Sequence, residues 1–239
     1  MDDPPVEAGV DGRGRRAAGR RLVELSHVIR HGMITYPGLP GPEITDHLSR
    51  EASRGHYAPG VEFQIGRISM VANTGTYLDT PAHRHAAGPD LAAVPLQRLV
   101  DLDGVVVRAG GSTAIGRTQL EGRRVAGRAV LLHTGWDTHF GAEPYAADDH
   151  PYLAGDGAAW LVEQGATLVG IDSVNIDRSG PAASGERPAH SLLLAAGIPI
   201  VEHLRGLEQL PDEGFRFTAA PPMVAGMGSF PVRAYAIVG

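Results

Sequence analysis

Two stretches of the sequence combine carboxylate and imidazole side chains at spacings that could support hydrolytic or acid–base chemistry. The first covers residues 73–85, is dense in turn formers and contains Asp79 and His83. The second begins at His190 and ends at Glu202. An aspartate can ligate a cation or orient an imidazole, and a histidine can carry a proton near neutral pH. These two stretches are the candidate site.

The elements around these residues determine whether the two stretches meet. The first stretch follows the strand predicted for residues 62–71, and polar groups at strand ends converge readily on one site. His190 lies near the start of a predicted helix and Glu202 ends the strand after it, so both can face one side of a sheet. A glutamate that ends an apolar run is costly unless it is exposed, paired or metal-bound. Alternatively, Asp79 caps a short helix, the histidines are exposed and Glu202 is solvated.

Two further positions follow predicted buried strands. Asp172 ends the apolar strand predicted for residues 167–171, where it could hold a histidine or a backbone turn. Trp136 follows the strand predicted for residues 128–133 and could line an aromatic pocket, although packing of a partly buried indole is the alternative. Neither position by itself identifies a reaction.

The hydrophobic pattern predicts a mixed α/β domain with a substantial sheet. Helices are predicted over 156–164, with Asp156 as N-cap and Gly165 as C-cap, and over 188–196, closed by Gly197. The predicted strands cover residues 22–25, 62–71, 104–109, 128–133, 167–171, 198–202, 215–219 and 232–238. Residues 1–21 are predicted to be a disordered tail because they carry almost no large apolar side chains. Residues 22–239 form one domain.

Composition excludes several kinds of chemistry. The 239 residues include no Cys and no Lys, which rules out disulfides, thiolate nucleophiles and lysine Schiff bases. The net charge of -6 argues against a nucleic-acid surface. No apolar run approaches the ~20 residues of a membrane span, and the N-terminus lacks the apolar region of a signal peptide. A cytoplasmic enzyme acting on a small molecule is expected.

Taken together, these segments resemble the cyclase family that includes kynurenine formamidase and isatin hydrolase. The family signature is similar to H-x-G-T-H-x-D-x-P-x-H, and here Asn73 to His83 reads N-T-G-T-Y-L-D-T-P-A-H. Residues 134–136, 170–173 and 229–234 follow in family order, so the resemblance runs from about Leu25 to the C-terminus. It implies a swivelling β/β/α fold, with a mixed sheet and flanking helices, in a homodimer or homotetramer.

The resemblance also implies roles for individual residues. Members typically hold one or two divalent cations, zinc or manganese, and hydrolyse amide bonds of small aromatic substrates. Asp79, His190 and Glu202 would be the metal ligands, with Asn73 as a weaker addition, and His83 would transfer protons. Contacts to the substrate would come from Tyr36, Trp136 and Phe230.

The chain departs from the signature because Asn73 and Tyr77 replace its two other histidines. An amide oxygen and a neutral phenol are poor zinc ligands, so either one cation or none is expected. Without a metal, Tyr77 would supply a phenol donor and His83 a general base, oriented by Asp79 or Glu202.

Three functions follow from these residues. The first is a hydrolase, resembling an arylformamidase, that opens an amide or lactone of a small aromatic or planar substrate. The second is a non-hydrolytic cyclase or dehydratase of secondary metabolism that uses His83 and Tyr77 as acid and base. The third is a non-catalytic binding protein, against which the retained Asp79 and His83 argue.

Overall fold

The computed structural model describes residues 19–239, with Ala182 described by its backbone only. Residues 1–18 of the predicted tail lie outside the described residues. The first strand begins at Arg21, one residue before the predicted start of the domain.

A nine-stranded mixed sheet forms the centre of the described part of the chain, and its strand order is β1-β13-β11-β5-β7-β9-β10-β4-β12. The four central strands run parallel, whereas the strands at both edges pair antiparallel. The strands of this sheet are β1 (Arg21–Glu24), β4 (Tyr77–Asp79), β5 (Leu102–Arg108), β7 (Ala129–His133), β9 (Leu168–Ile171), β10 (Ile200–Glu202), β11 (Glu213–Thr218), β12 (Ser229–Pro231) and β13 (Tyr235–Val238).

Shorter elements surround this sheet. Two small sheets pair β2 (Glu43–Leu48) with β3 (Ile65–Ser69) and β6 (Ala114–Ile115) with β8 (Tyr152–Leu153). The helices are α1 (Arg50–Ser53), α2 (Pro81–Arg84), α3 (Arg117–Leu120), α4 (Gly155–Glu163) and α5 (Pro188–Ala195). The prediction of a mixed α/β fold with flanking helices is confirmed.

Hydrophobic cores lie on both faces of the sheet. Val105 and Val107 of β5 pack in the cluster that contains α4 and α5 residues, while Val106 belongs to the cluster on the opposite face. This alternation follows from the two-residue period of a strand, and both faces of a central parallel strand are therefore apolar. Buried strands with apolar residues on both faces hold the polar ends of the strands at fixed positions.

Helix α4 begins one residue before the position predicted from the sequence. Its N-cap is Ala154, and Asp156 lies inside the first turn, so the prediction of Asp156 as N-cap is wrong. The Asp156 carboxylate instead accepts a hydrogen bond from the backbone N–H of Arg117 at 3.3 Å, at the start of α3. Asp156 thus caps a neighbouring helix, a contact between residues far apart in sequence. Helix α5 matches its predicted start at Pro188.

No helix within residues 19–239 combines the length and the apolar character required to cross a bilayer.

The packing of β11 on β5 gives a test of the fold. A Cβ added at Gly104 would overlap the buried ring of Phe215, so Gly104→Ala should overpack the core and cost about 1–3 kcal/mol. We expect the melting temperature to fall by about 2–10 °C in thermal unfolding followed by circular dichroism. Gly66→Ala, where a Cβ meets nothing within 4 Å, is the control and should change it little. Equal melting temperatures for the two variants would contradict this packing.

Candidate functional site

Strand β4 lies between β10 and β12, and this pairing assembles the site. Asp79 is opposite Ile200 on one side and Ser229 on the other, and Tyr77 is opposite Glu202. Backbone pairing therefore brings together side chains that are more than a hundred residues apart in sequence. From the sequence, we expect the stretch around Asp79 and the strand that ends at Glu202 to share one site. This register places them side by side.

Asp177 fixes the position and tautomer of His190. One Asp177 oxygen accepts from the backbone N–H of Ala189 at 2.7 Å, and the other accepts from the backbone N–H of His190 at 3.0 Å and from its Nδ1 at 2.7 Å. The carboxylate thus caps the start of α5, whose own N-cap residue supplies no side-chain bond. Because Nδ1–H is held by Asp177, the His190 Nε2 atom is turned toward Asp79 and Glu202, at 3.6 and 3.7 Å.

Asp79 is fully buried, and its two oxygens have different surroundings. Oδ1 accepts a short hydrogen bond from the Ser229 hydroxyl. Oδ2 has no hydrogen-bond partner and lies 3.6 Å from His190 Nε2. A buried carboxylate oxygen without a partner is costly, so this atom is suited to a cation.

Ser229 links Asp79 to His83. Its hydroxyl has one proton, which it donates to Asp79 Oδ1, so Ser229 Oγ accepts from His83 Nδ1 at 2.8 Å. With Nδ1 protonated, the Nε2 atom of neutral His83 carries a lone pair. His83 lines the cavity and its side chain is 35% exposed, so this lone pair is accessible to a small molecule.

Glu202 is buried, and both of its oxygens accept hydrogen bonds. Tyr77 donates its phenol to Oε2 at 2.5 Å, and the backbone N–H of Ile176 donates to Oε1 at 2.6 Å. Burial, followed by the negative charges of Glu202 and Asp79, raises the pKa of Tyr77 well above its usual value, so the phenol keeps its proton. A hydrogen bond from the Asn73 side-chain amide to the Tyr77 oxygen acts in the opposite direction and is outweighed. Tyr77 is thus a donor to Glu202.

Burial and neighbouring charges also shift the pKa values of His190 and Glu202. Burial alone would lower the pKa of His190, but the hydrogen bond to Asp177 and the nearby carboxylates of Asp79 and Glu202 raise it to about 10. Burial and the charge of Asp79 raise the pKa of Glu202 to about 7, against the opposing effects of His190 and of its hydrogen-bond donors. A proton on His190 therefore neutralises part of the buried negative charge.

The donor set fits one divalent cation. One ligand atom from each of Asp79, His83 and His190 lies within 4.8 Å of the other two, and Asp79 Oδ2 has no hydrogen-bond partner. Two imidazoles and one carboxylate are ligands that zinc and manganese accept, and three protein ligands are usual at a catalytic zinc. Glu202 borders the same group, because its Oε1 atom lies 3.7 Å from His190 Nε2.

A cavity of about 300 Å³ opens beside these groups. Its lining includes the predicted residues Tyr36, Asn73, Tyr77, His83, His190 and Glu202 together with Leu39, Arg84, Asn175 and Arg187.

Other predicted residues lie elsewhere. Trp136 donates its indole N–H to the carbonyl of Tyr145 at 2.9 Å, and Phe230 packs against a hydrophobic core cluster. Neither is among the described residues that line this cavity, so their contact with a substrate stays a prediction. Asp172 holds the Thr134–Gly135 turn, accepting from both backbone N–H groups and the Thr134 hydroxyl, which is the turn-making role that the sequence left open.

Close packing of a glycine sets the position of α2. A Cβ at Gly228 would overlap the backbone of Ala82 and His83. The Gly228 carbonyl also accepts from the N–H and hydroxyl of Thr80, the N-cap residue of α2, at 2.7 and 3.0 Å. Gly228 therefore lets the chain before β12 lie directly against the helix that carries His83.

Known proteins share this sequence pattern and fold. The family model described as Putative cyclase matches residues 23–178. A kynurenine formamidase from Bacillus mycoides (strain KBAB4) is 28% identical over 213 residues, which are 89% of this chain and 95% of that protein. Isatin hydrolase A from Ralstonia solanacearum has a similar fold, with a TM-score of 0.77, 23% identity and coverage of 92% of both chains. A structure described as a potential metal-dependent hydrolase with cyclase activity has a TM-score of 0.74 and 24% identity, covering 92% of this chain and 98% of that chain.

The buried charge makes cation binding dependent on pH. A cation that takes the position between Asp79 and His190 must displace the proton on His190 Nε2, whose pKa is about 10. Affinity for zinc or manganese should therefore rise about tenfold for each pH unit between pH 6 and 8, measured by isothermal titration calorimetry. Asp79→Asn should abolish binding, and Asp177→Asn should weaken it about 10-fold to 100-fold.

His56→Ala, which removes an exposed histidine outside the cavity, is the matched control for these titrations. It should bind as the unaltered protein does. An affinity that does not change with pH, or an Asp79→Asn variant that keeps the ion, would show that the site described here is not the cation site.

Proposed function

Because the chain belongs to the cyclase family, we propose that it is a hydrolase that opens an amide or lactone bond of a small aromatic or planar substrate, with His83 as general base. One observation carries this proposal: the Asp79–Ser229–His83 hydrogen-bond chain leaves His83 Nε2 as an acceptor at the cavity. The names of the relatives, a kynurenine formamidase and an isatin hydrolase, support amide hydrolysis as the reaction class.

His83 would remove a proton from water through Nε2 as that water attacks the scissile carbonyl. The imidazolium that forms is stabilised by Asp79, whose Oδ1 lies 3.6 Å from Nδ1 and shares the Ser229 hydroxyl with it. His83 would then return the proton to the leaving nitrogen or oxygen, so that one molecule of water is added across the bond. Ser229 positions the imidazole and does not itself contact the substrate.

Asp79 and His190, with His83 or Glu202 beside them, would hold a divalent cation of the zinc or manganese type. Such an ion would polarise the scissile carbonyl and lower the pKa of a water molecule. The residues themselves supply a buried, pre-oriented donor set: Asp177 holds the His190 ring, and Tyr77 keeps Glu202 hydrogen-bonded.

The proposal is tested with an N-formyl arylamine, isatin and an aryl lactone in water labelled with oxygen-18. We expect one labelled oxygen in the product acid, detected by mass spectrometry. His83→Ala should lower kcat/KM by about 100-fold to 10,000-fold. The His83→Ala variant should keep its bound metal if His83 acts as the base. Loss of the metal in this variant would show that His83 is a necessary ligand. His56→Ala is again the control.

The Ser229→Ala variant tests the hydrogen-bond chain separately. Without this hydroxyl the His83 ring loses the acceptor that orients its Nδ1–H, so kcat should fall by about 100-fold while KM changes little. A variant with an unchanged kcat would contradict this role of Ser229.

The non-hydrolytic cyclase or dehydratase is the alternative outcome of the labelling experiment, in which product forms without label. Tyr77 is only 3% exposed, and its hydroxyl is hydrogen-bonded to Glu202. It is therefore poorly placed to act as the acid in a cyclase or dehydratase reaction. A protein that binds these compounds without turnover would support the binding-protein hypothesis.

We also propose that the chain assembles as a homodimer through the β2–β3 hairpin, defined as residues 43–69. Large apolar side chains are exposed along it, including the cross-strand pair Ile44 and Ile68, at 42% and 48%. Exposed apolar side chains that are grouped on one surface are typical of a protein–protein interface. Tyr36 and Leu39 of the preceding segment line the cavity, so a second copy at the hairpin would lie near the site.

A double variant, Ile44→Glu with Ile68→Glu, should halve the mass measured by light scattering, because it places charge in the apolar contact. Leu96→Glu, at a 61% exposed leucine outside the hairpin, should leave the mass unchanged. A monomeric unaltered protein would exclude the homodimer.

A further inference from the structure

Two arginines lie at the mouth of the cavity, although the groups behind them are mainly acidic. Arg84 is in the last turn of α2, one residue after His83, and Arg187 is the N-cap residue of α5, three residues before His190. Both line the cavity, and both also line an adjoining outer cleft. Helices α2 and α5 pack against each other, so the two guanidinium groups flank one entrance.

Among the residues that the structure describes, neither arginine forms an ion pair. Within residues 19–239, the ion pairs that form involve other arginines, such as Arg108 with Asp212 and Arg216 with Asp101. Arg187 is half-buried, and its Nη1 donates to the carbonyls of Arg178 and Glu186 at 3.2 and 2.8 Å. These bonds fix one edge of the guanidinium, and they leave Nε and Nη2 as oriented donors. A side chain already held in place loses little entropy when it binds a ligand.

The charge in the site is separated by depth. Asp79, Asp177 and Glu202 are buried to 1% exposure or less and lie behind His83 and His190, while the two guanidinium groups stand at the entrance. A substrate whose negative group lay deep would meet the buried carboxylates. A substrate with its anionic group at the entrance would place its negative charge next to the two guanidinium groups. Its neutral amide would then lie next to the buried carboxylates.

From this arrangement we infer that the site takes substrates that carry a carboxylate, bound at the entrance by Arg84 and Arg187 while the scissile carbonyl faces His83. The inference rests on the proposed function, because it names the substrate class of the same site. The planar fork of an arginine matches the two oxygens of a carboxylate, and two such groups can share one anion. The volume of about 300 Å³ suits a substrate of one or two rings.

Glu186 is the one carboxylate among the described residues that line the outer cleft with the two arginines. Its side chain is exposed, so solvent screens its charge more than that of the half-buried Arg187. The entrance therefore keeps a net positive charge. Replacement of Glu186 by Gln should strengthen carboxylate binding slightly.

The experiment compares two probe pairs of nearly the same shape, in each of which a carboxylate is replaced by a neutral carboxamide: 2-formamidobenzoate against 2-formamidobenzamide for turnover, and benzoate against benzamide for binding by calorimetry. We expect the unaltered protein to favour the carboxylate by about tenfold or more in both measurements. The Arg84→Gln and Arg187→Gln double variant should lose this preference through weaker binding of the carboxylate, with the carboxamide unchanged. The preference should also fall as the salt concentration rises.

Arg178→Gln is the matched control, since it removes one exposed positive charge near Arg187 that does not line the cavity. Arg187→Lys separates charge from shape and should retain part of the preference. If the probes bind with the expected preference but are not hydrolysed, the proposed function fails, and the binding of a carboxylate by Arg84 and Arg187 stands. The inference is wrong if the unaltered protein hydrolyses both probes equally well. It is also wrong if the double variant keeps the preference for the carboxylate.

Discussion

The burial of three carboxylates around one imidazole is the constraint on which the rest of the site depends. Asp79, Asp177 and Glu202 are at most 1% exposed, and His190 is the basic group that contacts all three. Unpaired carboxylates in a low-dielectric interior would be strongly unfavourable. The structure compensates them with backbone N–H groups, two hydroxyls and the proton on His190. The position between Asp79 and His190 is therefore suited to a positive charge, either the proton on His190 or a cation.

The fold satisfies this constraint by giving each charged group a different support. Asp79 comes from β4, Glu202 from β10 and Asp177 from the connection before α5, and each is held by backbone pairing or by a helix start. Rigid elements hold side chains more precisely than loops do, so the imidazoles of His83 and His190 keep fixed orientations. The glycine at 228 has the same effect from the other side, since it allows β12 to bring Ser229 against α2.

The sequence predicted much of this arrangement but not all of it. The apolar runs of β5, β7, β9 and β10 identify buried strands directly, and the signature identifies Asp79 and His83. By contrast, β4 and β12 have three residues each, too few to show periodicity, and they exist because β4 pairs with β10 and β12. Ser229 and Asp177 were not identified as site residues from the sequence. Their roles arise from contacts across 146 and 13 positions of sequence, although Asp177 closely follows an apolar strand and could have been weighed.

The departure from the family signature changes the side of the site around Glu202 and leaves the side around Asp79 unchanged. Tyr77 places a protonated phenol on Glu202, whose second oxygen is bonded to the backbone of Ile176, so both Glu202 oxygens are already paired. Asp79 Oδ2 has no such partner. A cation would therefore find its open carboxylate at Asp79, and Glu202 would contribute charge more than direct ligation. Among the described residues, the group of side chains that could hold a cation consists of Asp79, His83 and His190. This group lies beside the cavity that Arg84 and Arg187 also line.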